Sequence, residues 1–401
     1  MKRYFILPLL AALVLSLASC EKDDPVTPDT PQKPEVENPE KPDEPDTPAP
    51  GETEDKNLDV TINPDGTTSS GVPFKWEPDS KTTFYLNHVK YEIVDTHLEA
   101  VGVDEYELKL SLGGKVKLCK SVTIDGNNYI LRAIEGYSFG SQYHSNPDLI
   151  SVDIPETVTK IGSGAFYDCT NLVEVKLPNG LTIIESRTFA GCSSLTSISI
   201  PSSITTIGAF SFSGSGITKI ILNDSKTSLL LKSEQGRNVL GTNLEEIYIG
   251  RNIETLCISG LGNYTLEFYK LAGENIKKIT IGGHATIITE YFYSDLKKLE
   301  TVIIEEGILE IEKGAFMDSY CNNMYLPKSA NQIAGYAFAR TSIENLYVKW
   351  TDETLINSFD PDIFKNAKIK SLYIPKGYKE LYTNCEWIKV ANIGNIYEME
   401  Q

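Results

Sequence analysis

The sequence predicts a β-dominated α/β solenoid, in which repeats of about 23 residues form a parallel β-sheet with short helical or irregular returns. Three observations carry the prediction. One segment recurs at a spacing of about 23 residues, its apolar residues follow a strand-like pattern, and proline closes the strand in several copies.

Written in register, the chain reads Leu149-Ile-Ser-Val-Asp-Ile154-Pro155, then Leu172-Val-Glu-Val-Lys-Leu177-Pro178, then Leu195-Thr-Ser-Ile-Ser-Ile200-Pro201, each 23 residues after the last. Between them lie Ile161-Gly-Ser-Gly-Ala-Phe166, Ile184-Glu-Ser-Arg-Thr-Phe189 and Ile207-Gly-Ala-Phe-Ser-Phe212. The pattern returns in Ile311-Glu-Lys-Gly-Ala-Phe316, Ile333-Ala-Gly-Tyr-Ala-Phe338, Leu326-Pro327 and Ile374-Pro375. An L-x-x-L-x-L core at this period is the leucine-rich-repeat signature.

Each part of the unit has a physical role. Alternation puts Val175 and Leu177 on one face of a short strand, and proline ends it by withholding an N–H from the ladder. Isoleucine and phenylalanine of the second motif fill the interior, while glycine and alanine between them allow a tight return. A single unit cannot fold alone. Ordering its backbone costs about 1–2 kcal/mol per residue, and burying some seven apolar side chains returns only about 1.5–3 kcal/mol apiece. Stacking closes the gap, so the product is a continuous solenoid.

The ends are of a different kind. Lys2 and Arg3, the apolar run from Phe5 to Leu17, and Ala18-Ser19 form an export signal over residues 1–19. Leu17-Ala18-Ser19-Cys20 resembles the lipobox of bacterial lipoproteins, which implies that Cys20 is lipidated and anchors the chain to a membrane. Glu21, Lys22, Asp23 and Asp24 resemble the acidic tag that sends such lipoproteins to the outer face of the outer membrane. Residues 20–57 carry thirteen acidic side chains against Lys22, Lys33, Lys41 and Lys56, with prolines every few positions and almost nothing to bury. They are expected to be a disordered stalk, long enough, at about 3.1 Å per residue, to hold a folded domain up to roughly 100 Å from the membrane.

Residues 58–128 are expected to be a β-rich lead-in and cap, with Val89-Lys-Tyr91-Glu-Ile93 alternating as a strand. Residues 129–374 are expected to be the solenoid and 375–401 a C-terminal cap. Segments 223–241 and 259–274 stretch the spacing, and insertions in a solenoid tend to emerge on one face.

The succession I-P, then I-G-x-x-A-F, then x-x-C-x-x-L resembles the BspA-like leucine-rich-repeat family of bacterial surface lipoproteins, over residues 84–398. The resemblance is strongest over 149–222 and weaker over 223–300. It implies a surface adhesin that binds host matrix and plasma proteins such as fibronectin and fibrinogen. A fold hosts many functions, so no particular ligand follows from it.

No catalytic pattern accompanies the repeats. Gly136-Tyr-Ser138-Phe-Gly140 matches the G-x-S-x-G of hydrolase elbows, yet Ser138 falls where Ala165 and Ala315 stand, which makes it a repeat position. The four histidines, His88, His97, His144 and His284, lack metal-ligand spacing. Cys119, Cys169, Cys192, Cys257, Cys321 and Cys385 are an even set in an exported chain. Cys169 and Cys192 share a repeat position held by Ser215 in the next copy, which favours buried free thiols over a bridge. No metal, cofactor or enzyme activity is expected. A net charge of -18 argues against a nucleic-acid partner.

The candidate site lies on the outward face of the strands. Residues between the core positions run Asp153, Lys176, Ser199, Ile221, Tyr248, Thr280, Ile303, Tyr325, Tyr347 and Tyr373. The last three tyrosines are expected to form a column on adjacent rungs. Such a column either braces the sheet by cross-strand contact or anchors a ligand. Tyr248, Tyr325, Tyr347 and Tyr373 are the candidate ligand-binding residues. The expected function is adhesion to a host extracellular protein without catalysis, with surface glycan binding for nutrient capture as the alternative.

Overall fold

The computed structural model describes residues 59–103, 112–140, 146–234, 239–257 and 267–400. The expected export signal, Cys20 and stalk lie outside the described residues, as does His144. Among the described residues no helix is long and apolar enough to cross a membrane.

The lead-in is a mostly antiparallel sheet running from Asp59–Ile62 through Ser121–Ile124, Asn127–Ile134, His97–Val103, Val89–Val94 and Thr83–Leu86 to Phe74–Trp76. Its alternating strands bury Phe84, Tyr91, Leu98 and Leu131. Strand Lys160–Ile161 of the first repeats pairs in parallel with Ala133 and Ile134, so sheet and solenoid share one ladder.

Nine strands form the long parallel sheet: Ser197–Ile200, Lys219–Leu222, Glu246–Ile249, Lys278–Ile281, Leu299–Ile304, Tyr320–Leu326, Ser342–Val348, Lys368–Pro375 and Asn392–Met399. The inward positions are those expected from the repeat: Ile198, Ile200, Ile220, Leu222, Val302, Met324 and Leu372 are all buried. The returns are more regular than the sequence suggested. Lys160–Ile161, Ile183–Ile184, Thr206–Ile207, Leu229–Ser233, Ile287–Ile288, Glu310–Ile311 and Gln332–Ile333 each add a short strand on this second side. All but Leu229–Ser233 have only two residues, too few to show a period in the sequence.

Between the two lines of strands runs a spine of rings. Phe139, Phe166, Phe189 and Phe212 stack with centroids 5.5, 5.4 and 5.6 Å apart and planes within 11°. Tyr293, Phe316, Phe338 and Phe364 repeat the arrangement at 5.3, 5.6 and 4.9 Å. Two glycines show why the second motif is spelled as it is. A side chain on Gly162 would strike the Gly136 amide of the preceding rung at 2.4 Å. Gly164 has a left-handed φ of 64° and lies under the Tyr137 ring, which a Cβ would meet at 2.4 Å. Other rungs fill the Gly164 position with Tyr137, Arg187, Phe210, Tyr291 and Tyr336, all at φ between 55° and 67°, a conformation that L-residues adopt at a cost.

The stretched region has its own solution. Arg251 is fully buried, and its guanidinium donates to the carbonyls of Asn223 (2.8 Å), Ile204 (2.7 Å), Pro201 (3.0 Å) and Ser202 (3.3 Å). It ties together the ends of two neighbouring strands, Ser197–Ile200, which closes on Pro201, and Lys219–Leu222, where Asn223 stands in place of the proline. At the C-terminal end the buried Trp350 and Trp387 donate to Ala330 and Ile356 carbonyls. The Tyr382 hydroxyl donates to Trp350 O at 2.8 Å.

Candidate functional site

Backbone pairing fixes the outward column residue by residue. Ser199 pairs with Ile221, Ile221 with Tyr248, Tyr248 with Thr280, Thr280 with Ile303, Ile303 with Tyr325, Tyr325 with Tyr347 and Tyr347 with Tyr373. From Ser199 onward the order predicted from the repeat is the order in the sheet, whereas Asp153 lies in a separate three-stranded sheet and Thr280 is buried. The column continues one rung further, since Tyr373 pairs with Tyr397.

Tyr325, Tyr347, Tyr373 and Tyr397 form one stack, with centroids 4.5, 4.5 and 5.2 Å apart and planes 9°, 12° and 24° from parallel. Parallel strands hold successive side chains about 4.8 Å apart, so adjacent rungs bring the rings face to face without further help. The consequence differs from three separately solvated rings. Tyr347 is covered on both faces and only 8% exposed, while Tyr325, Tyr373 and Tyr397 are half-buried. Solvent meets ring edges and hydroxyls. Burial pushes the Tyr347 hydroxyl up to about 12, and Tyr325 is raised as well, chiefly by burial.

Tyr248 does not join them. Thr280 and Ile303 separate it from Tyr325 in the column. Its hydroxyl donates to Asp224 Oδ1 at 2.7 Å, and burial, followed by this carboxylate, pushes its pKa up.

A second row runs beside the tyrosines, two residues earlier on the same rungs. Asn323 pairs with Asn345, Asn345 with Ser371 and Ser371 with Asn395. The Asn345 amide donates to Asn323 Oδ1 at 3.1 Å. Lys370 is held by Glu344 at 2.8 Å next to this row. Each of the four rungs therefore carries a tyrosine and a neutral polar residue, of which Tyr347 and Ser371 are buried.

The other candidate chemistry resolves into structure. Ser138 Oγ donates to Glu135 O at 2.6 Å, as Thr188 donates to Glu185 O and Ser211 to Gly208 O in the same register. Cys119, Cys169, Cys192, Cys321 and Cys385 are free thiols, all of them buried. Cys169 Sγ donates to Phe139 O at 3.2 Å and Cys192 Sγ to Phe166 O at 3.1 Å, and burial pushes the Cys192 thiol up to about 12. Among the described residues no group of His, Cys, Asp and Glu is arranged to hold a metal.

The model of the BspA type leucine rich repeat region matches residues 133–263 and 264–386, in six copies and over more than half of the sequence. The chain belongs to this BspA-type family. No curated protein matches it significantly. Among solved structures, a leucine-rich repeat protein from Bacteroides ovatus is 17% identical, with 79% of this chain and 76% of that one covered and a TM-score of 0.40. A leucine-rich cell-surface protein from Faecalibacterium prausnitzii is 14% identical over 80% and 96%, with a TM-score of 0.29. The pneumococcal vaccine antigen PcpA is 16% identical over 79% and 98%, at 0.34.

Within the BspA-type chain, sequence reasoning missed Tyr397 and the asparagine row. The signal was present: Asn323-Met-Tyr325, Asn345-Leu-Tyr347 and Asn395-Ile-Tyr397 share one spelling, and Ser371-Leu-Tyr373 differs by a single residue. Tyr397 follows the last proline-closed strand, where the repeat pattern predicts a cap.

Proposed function

We propose that this BspA-type chain is a non-enzymatic binding module displayed on the outside of the cell, with the outward face of its last four rungs as the contact surface. One observation carries the reading: four tyrosines, stacked and so held in place before any ligand arrives, stand beside Asn323, Asn345, Ser371 and Asn395. Tyrosine, serine and asparagine are the residues that recognition surfaces favour, because they combine large contact area with adaptable hydrogen bonds. Pre-stacking lowers the entropy lost on binding. Host extracellular protein and surface glycan are the two ligand classes in view.

The test is a panel of purified host matrix proteins and linear polysaccharides, presented to the full chain and to a Tyr325→Ser, Tyr347→Ser, Tyr373→Ser variant. Binding lost in a folded variant supports the reading. Wild-type affinity in the folded variant overturns it and moves the contact elsewhere, first to the stretched region between 223 and 274.

The place of the module on the cell is part of the proposal. The lipobox-like Leu17-Ala18-Ser19-Cys20 and the acidic residues after it support a lipid anchor in the outer membrane, facing outwards. Cys20→Ala is expected to release the protein from the membrane fraction. Undiminished membrane association of that variant would remove the lipid anchor from the account.

A further inference from the structure

We propose that Asn179 is a site of spontaneous covalent modification, at which the Gly180 nitrogen displaces the side-chain amide and leaves aspartate and isoaspartate in its place.

The chemistry makes demands on the chain that this turn meets. The side-chain carbonyl carbon of an asparagine must reach the backbone nitrogen of the next residue, and a side chain on that residue obstructs the ring that forms. Asn179-Gly180 is the one asparagine–glycine pair in the sequence. Both residues are exposed. They form the tip of the turn after strand Glu174–Val175, which Leu181 N closes by donating to Pro178 O at 3.1 Å.

Equivalent turns show what differs here. Pro155 to Val158 and Pro201 to Ile204 are closed by the same bond, at 3.0 and 3.1 Å, with Glu156-Thr157 and Ser202-Ser203 at their tips. In the turn after Pro327, the Glu306 carboxylate of the preceding rung holds both tip amides, Lys328 N at 3.0 Å and Ser329 N at 2.9 Å. Glu156 stands in the same relation to Asn179, but its Oε2 accepts from Asn179 N alone, at 2.8 Å. Among the described residues, neither Gly180 N nor the Asn179 side-chain amide makes a hydrogen bond. The attacking nitrogen is thus the one that this turn leaves unbonded. An exposed turn held by two hydrogen bonds also opens locally at little cost, which lets the ring form.

The step needs no reagent but water. Gly180 N gives its proton to hydroxide and bonds to the Asn179 side-chain carbonyl carbon. The bond from that carbon to the side-chain nitrogen breaks, and the nitrogen takes a proton and leaves as ammonia. Water then opens the cyclic imide. Attack at the former side-chain carbonyl gives aspartate, and attack at the backbone carbonyl gives isoaspartate, through whose side-chain carbon the main chain now runs. Either product sets a new carboxylate beside Glu156. Isoaspartate also lengthens the backbone between Pro178 and the buried Leu181, so the turn loosens.

The experiment incubates the full chain at neutral and mildly alkaline pH and follows the proteolytic peptide containing Asn179 by chromatography and mass spectrometry. Conversion to two products of acid mass is expected, one of them a substrate for an isoaspartyl methyltransferase. The rate is expected to rise in proportion to hydroxide and to exceed that at every other asparagine. Gly180→Ala tests the geometry. A Cβ there would meet Thr159 Cγ2 at 3.4 Å, an ordinary contact, and φ lies outside the left-handed region, so the variant keeps the fold and conversion is expected to be about tenfold slower. Asn179→Gln, which would have to close a larger ring, is expected to show none. Conversion no faster than at other asparagines, an equal rate in Gly180→Ala, or aspartate as the sole product overturns the proposal. Unchanged protease resistance at the turn in the converted chain overturns its loosening.

Discussion

Phe166 gives the most direct measure of what holds the solenoid together. Its ring is fully buried, stacked on Phe139 at 5.5 Å and on Phe189 at 5.4 Å. Phe166→Ala removes the buried ring and leaves a cavity, a change that costs about 3–5 kcal/mol at comparable sites. Part of that is the two ring contacts, each worth about 0.5–1.5 kcal/mol beyond area burial. Phe212 is equally buried but ends its stack, with Phe189 as its one stacked ring. Phe212→Ala is therefore expected to cost less than Phe166→Ala by about one such contact. Urea unfolding followed by circular dichroism supplies both numbers, provided the slope is the same for all variants. A cost below about 1 kcal/mol at Phe166, the range of ordinary surface changes, would refute its place in the spine. Equal costs at the two positions would refute the contribution of stacking.

Arg251→Met strips four carbonyls of their donor, and the expected cost is about 3–5 kcal/mol, as for one member of a buried charged network; Arg251→Lys, which lacks the planar fork, should recover only part of it, and a neutral outcome in urea unfolding would show that water replaces the guanidinium. Cys169 and Cys192 should resist a thiol reagent at pH 8 until the chain is unfolded, because burial raises both thiols far above that pH, and prompt labelling of the native protein would contradict their burial. Alkali should destabilise the tyrosine stack with a defined sign. The Tyr347 hydroxyl is raised to about 12 from a reference near 10, so its contribution is whole below pH 10 and is lost between 10 and 12, as the unfolded chain ionises first. In Tyr347→Phe the fall in stability over that window should be smaller than in wild type, and an identical fall would place the titrating group elsewhere.

Much of this architecture was legible because a solenoid writes its fold in a period. Once Leu172, Val175 and Leu177 are aligned with Leu195, Ile198 and Ile200, the inward and outward sides of every later strand follow, and the order Tyr325, Tyr347, Tyr373 follows with them. What the period could not express was geometry across rungs. Adjacent outward tyrosines are compatible with separate solvated rings or with a stack, and the choice depends on side-chain torsions that the repeat does not encode. Tyr248 shares only its residue type with the others, since two rungs separate it from them and Asp224 takes its hydroxyl. Arg251 was invisible for a different reason. A charged residue just past an outward glycine reads as a surface turn, and only the converging carbonyls of Pro201, Ser202, Ile204 and Asn223 make it a buried one.

The central claim, that the last four rungs meet the ligand, is tested most directly by oxidative footprinting of the tyrosines with and without whichever panel ligand binds. Tyr325, Tyr373 and Tyr397 are half-buried and open to the reagent, and Tyr137, on the return side of the first repeats, is exposed and serves as the internal control. The account predicts that bound ligand protects Tyr325, Tyr373 and Tyr397 and leaves Tyr137 unchanged. Unaltered oxidation of those three under saturating ligand, with protection appearing at residues elsewhere in the chain, would contradict it.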